Sequence, residues 1–475
     1  MLFNSLHFAL FFPVVTTLYF LLPHRHRLWM LLLASCYFYM ALVPKYILIL
    51  FFLIAVDYTA GLLIERAPPE KRRLYLLCSL LANVLVLSIF KYFNFINANV
   101  GGVIEALGGR WSLPNLNIIL PIGLSFHTFQ SISYVIEVYR GRQKAERNLG
   151  KYALYVLFYP QLVAGPIERP QNLLHQFDEP HRFDYARVTD GLKLMVWGLF
   201  KKVVIADRLA VAVDLVYNNP TSYSGWPLVV ATYFFAIQIY CDFSGYTDMA
   251  RGAAQVMGFR MMENFRAPYL ATSIGEFWRR WHISLSSWFR DYVYIPMGGN
   301  QVPRWRWYAN LMAVFLLSGL WHGASWTFVI WGGLHGLYLI VSAATARVRA
   351  AFSDGLMLDR IPRVRHAMQI FITFNLVTFA WIFFRARTVA EAKYIVTHLF
   401  SFGPEPVLGL LNPAAWLLDQ QNLLIAIFAV ACLEIARYTW RAPRTWLRWA
   451  TYYVITYSVL LLGKFEDHQF IYFQF

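Results

Sequence analysis

The chain is poor in charge and in reactive cysteine. Charged residues make up only 14% of its 475 positions, where a soluble domain carries roughly a quarter. That shortage excludes an ordinary water-soluble fold for most of the length. The only cysteines are Cys36, Cys78, Cys241 and Cys432. Each lies among apolar residues and none belongs to a CxxC pair, so neither a disulfide framework nor a thiolate metal site is expected. A phosphate-cradling P-loop, a GxGxxG fingerprint and an HExxH pair are also missing. No repeat, low-complexity tract or separable polar domain interrupts the chain, so one membrane domain over 1–475 is expected. The first apolar run, 2–22, has no basic segment ahead of it and no convincing cleavage site. It reads as a first span and not as a removed signal.

What is abundant is apolar and aromatic. Hydrophobic residues make up 58% and aromatics 18%, with 39 Phe, 29 Tyr and 17 Trp. A bilayer crossing needs about 20 apolar residues. Apolar runs recur near 2–22, 28–43, 46–64, 74–95, 116–139, 152–167, 190–210, 227–257, 308–323, 326–345, 366–384, 422–438 and 450–464. The expected fold class is therefore an all-α polytopic integral membrane protein, with some of the shorter runs re-entrant or interfacial.

The net charge of +16 comes from 42 Lys+Arg against 26 Asp+Glu. The basic residues cluster in short loops, at Arg25–Arg27, Lys71–Arg73 and Arg140–Arg147. That distribution fits cytoplasmic loops on anionic lipid and not nucleic acid. The alternate loops at 43–45 and 96–115 carry one basic residue each, Lys45 and Arg110. The alternation places the N-terminus outside the cytoplasm.

Polar residues inside apolar runs are costly and mark candidate sites. His322 sits in Leu320-Trp321-His322-Gly323-Ala324-Ser325-Trp326, within the run Leu311–Ile330. A neutral imidazole tolerates low dielectric and takes up a proton near pH 7, as a general base must. Gly323 and Ala324 would let a substrate come close. The alternative is a histidine bonded to a neighbouring helix. A second stretch, Glu276 to Trp288, puts Phe277, Trp281, Leu285 and Trp288 at helical spacing on one face, with Arg279, His282 and Ser286 on the other. It reads as one amphipathic helix, either an aromatic anchor at the membrane surface or a cationic wall for an anionic cofactor. A third stretch places Asp242 and Asp248 in the run Pro227–Met257. These acids would serve a proton path, orient a histidine, or pair with an arginine. His322 and His335 lie in reach of each other but lack an obvious third ligand, so no metal is expected.

Several stretches also carry a family resemblance. They are Met1-Leu2-Phe3-Asn4-Ser5, Tyr159-Pro160-Gln161-Leu162-Val163-Ala164-Gly165-Pro166-Ile167, Asp242-Phe243-Ser244-Gly245-Tyr246, Asn264-Phe265, Phe277-Trp278-Arg279-Arg280-Trp281-His282, Leu320-Trp321-His322-Gly323 and Phe470-Ile471-Tyr472-Phe473-Gln474-Phe475. In their order and completeness the chain resembles the membrane-bound O-acyltransferases (the MBOAT family) and, within it, the bacterial subgroup that acetylates alginate. The resemblance implies a ring of about ten to thirteen transmembrane or re-entrant helices around a central tunnel. It implies acyl transfer, with His322 as the main catalytic residue and His282 as a second. It implies no permanently bound cofactor, but acetyl-CoA or another acyl thioester as co-substrate. With coenzyme A as donor carrier, Arg279 and Arg280 would face its phosphates. The expected partners are that donor, a periplasmic serine-hydrolase-like acetyltransferase, an exported polysaccharide of the alginate or acetylated-cellulose kind, and membrane lipid. The expected location is the bacterial inner membrane. Teichoic acid and peptidoglycan stand as alternative acceptors. A transporter or a secretion scaffold is the reading from a different class, although a transporter would predict internal repeats.

Overall fold

Hydrocarbon offers backbone amides no water, so an apolar run must close its hydrogen bonds within a helix. Every regular element among the described residues is accordingly helical. The computed structural model describes residues 1–41, 43–118, 120–162, 165–355, 360–402, 425, 428, 429, 432, 433, 445–465 and 471. Among the described residues, five helical segments are long and apolar enough to cross a membrane: Pro44–Arg66, Pro69–Ala106, Trp226–Met257, Trp326–Ala344 and Pro362–Arg385. The protein is thus an all-α polytopic membrane protein. Two expected spans are shorter than their apolar runs. The run 116–139 is helical only from Leu124, after Pro121 and after Gly123, whose φ is +79°. The run 152–167 is helical only as far as Leu157, because Pro160 follows. The expected span 422–438 lies almost wholly outside the described residues.

The chain forms two compact units, residues 1–195 with 247–263, and residues 196–246 with 264–475. The first contains α1 (Leu6–Leu21), α2 (His24–Met40), α3 (Ile47–Arg66), α4 (Pro69–Leu87), α5 (Phe93–Ala106), α6 (Leu124–Tyr139), α7 (Leu149–Leu157), α8 (Pro170–Leu173) and most of α9 (Tyr185–Leu199). Its centre is a polar knot, not a greasy one. Asp57 of α3 is fully buried and accepts from Ser79 Oγ at 2.6 Å and Asn83 Nδ2 at 2.8 Å, both on α4. Buried polar groups hold position only when satisfied in this way. Tyr134 of α6 and Tyr152 of α7 pack beside them, with ring centres 4.4 Å apart.

The second unit holds α10 (Asp207–Tyr217), residues 226–246 of α11 (Trp226–Met257), α12 (Ile274–Arg280), α13 (Ile283–Phe289), α14 (Arg304–His322), α15 (Trp326–Ala344), α16 (Ala346–Gly355), α17 (Pro362–Arg385), α18 (Val389–His398) and the helix Thr445–Leu462. Between α9 and α10 the backbone loosens into a π-turn, Phe200–Ala206. This widening carries two buried lysines. Lys202 Nζ lies 2.8 Å from Asp207 Oδ1 and 2.7 Å from Asp242 Oδ1. Asp242 Oδ2 in turn accepts from the Ile471 amide at 2.8 Å. Lys201 Nζ donates to Ser244 Oγ at 2.9 Å. The intramembrane acid Asp242 is therefore paired, but with a lysine and not with the arginine considered from the sequence. Asp248 has a local partner, Arg251, at 3.6 Å.

The closest helix crossing in this unit is α14 on α15. A Cβ on Gly319 would stand 2.2 Å from the Phe328 carbonyl oxygen, and one on Gly332 would stand 2.2 Å from that of Phe315. Backbones meet this closely in membranes when small residues line the contact. The turn between the helices is equally tight. Ser325 caps α15 by accepting from the Thr327 amide. A Cβ on Gly323 would meet the Phe328 ring at 2.2 Å. Gly323 is thus required by the hairpin's own packing, which corrects the expectation that it leaves room for a substrate.

Candidate active site

Close packing of α14 on α15 places His322 at the last position of α14, with Gly323 leaving the helix in an extended conformation. His322 is 4% exposed. Its ring lies 4.9 Å from Trp331 of α15 at an interplanar angle of 88°, and 5.4 Å from Phe384 of α17. The neighbouring Trp321 ring is 4.9 Å away. An imidazole walled by aromatics sits where dielectric is low and electrostatic interactions are strong.

His282 arrives from a different direction. The stretch Glu276–Trp288, expected as one amphipathic helix, is two short helices with a joint at His282. There the backbone is left-handed, with φ +43° and ψ +55°. A non-glycine residue in that region costs of order 1–3 kcal/mol and persists only where its surroundings enforce it. Asn264 supplies the enforcement. Its carbonyl accepts from the Ile283 amide at 3.0 Å and its side-chain Oδ1 from the Ser284 amide at 3.1 Å, which satisfies the start of α13. Arg266 N donates to Arg280 O at 3.0 Å on the other side of the joint. The kink turns the His282 side chain inward, fully buried, and not outward to lipid headgroups. Its ring packs edge-on against Phe243 of α11, with centres 4.6 Å apart. It also approaches Trp321 at 6.4 Å. Trp321 is therefore a ring that approaches both histidines that the sequence singled out.

Arg280 is occupied. It donates to Glu276 Oε1 at 2.6 Å, and Glu276 also accepts from the Thr272 amide and hydroxyl. These Thr272 bonds, with Arg280 adding to them, hold the Glu276 carboxyl below the usual carboxylate range. Arg279 is exposed on the opposite side of the same turn.

Sequence reasoning passed over three contributors. Asn264 carried no role of its own, and a bond to a helix start 20 residues on leaves no local signal. Trp331 looked like one more aromatic in a span. His335 was weighed only as a metal ligand. In the structure it is fully buried inside a cage of Phe277, Trp278, Phe315 and Trp331. Trp278 Nε1 donates to its Nδ1 at 3.3 Å.

The family model described as MBOAT, membrane-bound O-acyltransferase family, matches residues 146–384, a range that contains both histidines. The chain belongs to that family. It is an O-acyltransferase. Relatives agree over longer stretches. A probable alginate O-acetylase AlgI of Pseudomonas aeruginosa is 41% identical over 409 residues, which cover 85% of this chain and 75% of that protein. A peptidoglycan O-acetyltransferase of Helicobacter pylori is 35% identical over 456 residues, covering 89% of this chain and 84% of that protein. A teichoic acid D-alanyltransferase of Streptococcus thermophilus is 28% identical over 303 residues, covering 58% and 70%.

Proposed function

We propose that this enzyme takes an acetyl group from a cytoplasmic thioester, acetyl-CoA or another acyl thioester, and passes it towards a hydroxyl of an exported alginate-like or cellulose-like polysaccharide. The transfer is direct or runs through a periplasmic serine-hydrolase-like partner. The enzyme works in the bacterial inner membrane as one membrane domain, with its N-terminus on the periplasmic side as the basic loops require. The observation that carries this reading is the approach of His282 and His322 to the same Trp321 ring in one buried aromatic pocket, in a chain so similar to an alginate O-acetylase.

A sugar or serine hydroxyl is a poor nucleophile until its proton is removed. His322 accepts that proton as the oxygen attacks the thioester carbonyl carbon, an effect typically worth ~10² to 10⁴ in rate. The carbonyl electrons move onto oxygen, the C–S bond then breaks, and the departing thiolate takes up a proton. His282, which approaches the same Trp321 ring, helps to stabilise the developing negative charge. Arg279, exposed, is the group left to meet donor phosphates, because Arg280 is held by Glu276.

The Helicobacter relative favours one second acceptor, peptidoglycan. The test is the O-acetyl content of exported polysaccharide and of peptidoglycan in cells carrying wild type or His322→Ala, with equal membrane levels. Loss of polysaccharide acetyl at normal polymer yield is expected. Loss confined to peptidoglycan moves the acceptor to the second reading. Unchanged acetyl in both polymers removes His322 from the chemistry, and loss of the polymer itself points to export or scaffolding.

A further inference from the structure

Among the described residues, two buried donors on α15, one of them beside His322, have no acceptor. Trp331 is 0% exposed, and among the described residues its Nε1 has no hydrogen-bond partner. His335, one turn along α15, is also 0% exposed. An indole can only donate, so the bond from Trp278 Nε1 obliges His335 Nδ1 to accept. The proton of the neutral imidazole then resides on Nε2, and among the described residues Nε2 has no partner either. The Trp331 ring lies 5.1 Å from His335 and 4.9 Å from His322. A buried donor left without an acceptor destabilises the fold that holds it. Two of them on adjacent rings, one of which packs on the general base, call for an acceptor that arrives with the substrate.

We propose that the Trp331 Nε1–H and the His335 Nε2–H together receive the acyl carbonyl oxygen of the thioester and hold the oxyanion it becomes, with Trp278 fixing the His335 tautomer. This rests on the acyl-transfer reading above and names the donors that reading needs. When the acceptor oxygen bonds to the carbonyl carbon, its proton goes to His322 and an electron pair moves onto the carbonyl oxygen. When the pair returns, the C–S bond breaks and the thiolate leaves. Donors that gain most at the oxyanion stage lower the barrier instead of merely tightening substrate binding. Trp278 touches no reacting atom and is a positioning residue.

The experiment uses the full-length enzyme in detergent or proteoliposomes, with acetyl-CoA as donor and an alginate oligosaccharide as acceptor, following release of free thiol and acetylated sugar. Trp331→Phe keeps an aromatic ring and removes one N–H. A fall in kcat of ~10²-fold with a donor KM within twofold is expected, since one oxyanion donor is worth about that much. His335→Gln, which retains an N–H, is expected to keep far more kcat than His335→Leu of similar bulk. This pair carries the test should Trp331→Phe fail to accumulate. Trp278→Phe is expected to lower kcat less than either donor loss, because His335 regains both tautomers, and to shift the pH profile of kcat, because Nδ1 without its indole donor is free to take up a proton. Full kcat in Trp331→Phe, or equal kcat in the two His335 variants, overturns the donor pair. So does a fall in kcat that disappears once rates are normalised to the folded fraction read by thermal unfolding. A wild type that transfers no acetyl from the thioester sinks the parent reading instead, whatever the variants do.

Discussion

Two adjacent glycines on α15 give a stringent test of the architecture. Gly332 faces α14, where an added Cβ would stand 2.2 Å from the Phe315 carbonyl oxygen and 3.2 Å from Gly319 Cα. Gly333 lies beside the crossing, and its added Cβ meets only the flexible end of Leu316 of α14, at 3.5 Å. A carbon–oxygen contact across packed helices settles near 3.3–3.6 Å, so Gly332→Ala forces α14 and α15 apart by about 1 Å. Neither partner atom is a flexible side chain, so the strain falls on backbone and costs ~1–3 kcal/mol. Gly333→Ala meets ordinary contact and gains roughly 0.5–1 kcal/mol from helix propensity. That gain is common to both positions, so the two variants should separate by the strain alone, about 1–3 kcal/mol. Function should separate further. His322 ends α14 and Trp331 lies on α15, so the same 1 Å opens their 4.9 Å contact, and displacement of that size can cost 10²-fold in rate. Thermal inactivation of the detergent-solubilised enzyme gives the first quantity and initial acetyl transfer gives the second. Equal stability and activity in Gly332→Ala and Gly333→Ala would refute the close crossing and the placement of His322 that depends on it.

Other perturbations have equally definite outcomes. Lys202→Met leaves Asp207 and Asp242 buried against each other without their cation, and breaking a buried pair costs about 3–5 kcal/mol. The variant should vanish from membranes on immunoblots, and adding Asp207→Asn with Asp242→Asn should restore it. No rescue by the triple variant would show that the lysine does more than neutralise the acids. Arg279→Ala should raise the donor KM without lowering thermal stability. Arg280→Ala should do the reverse, because its guanidinium is spent on Glu276 and the Ala267 carbonyl. An unchanged donor KM in Arg279→Ala would remove that residue from donor binding.

Much of this protein was readable before any tertiary contact was known. Low charge and recurrent apolar runs dictate a helical membrane protein, because lipid leaves no other backbone solution. The ordered motifs gave the family, and two histidines out of twelve stood out through their neighbours. Local sequence could not reveal the break at His282. The spacing of Phe277, Trp281, Leu285 and Trp288 satisfies one continuous helix, and only hydrogen bonds from the 264–266 segment enforce a left-handed residue there. Nor could it match Asp242 with Lys202, since that pairing spans helices and depends on a π-turn that periodicity does not encode. His335 shows the same limit. Its tautomer is set by a tryptophan 57 positions away, and its nearness to His322 by two glycines that let helices touch. The sequence by itself determined the solvent, the helices and the reaction class, because those follow from composition and short motifs. Tertiary structure alone decided which buried polar atoms are matched and which still await an acceptor, because that depends on ångström-scale contacts between residues far apart in the chain.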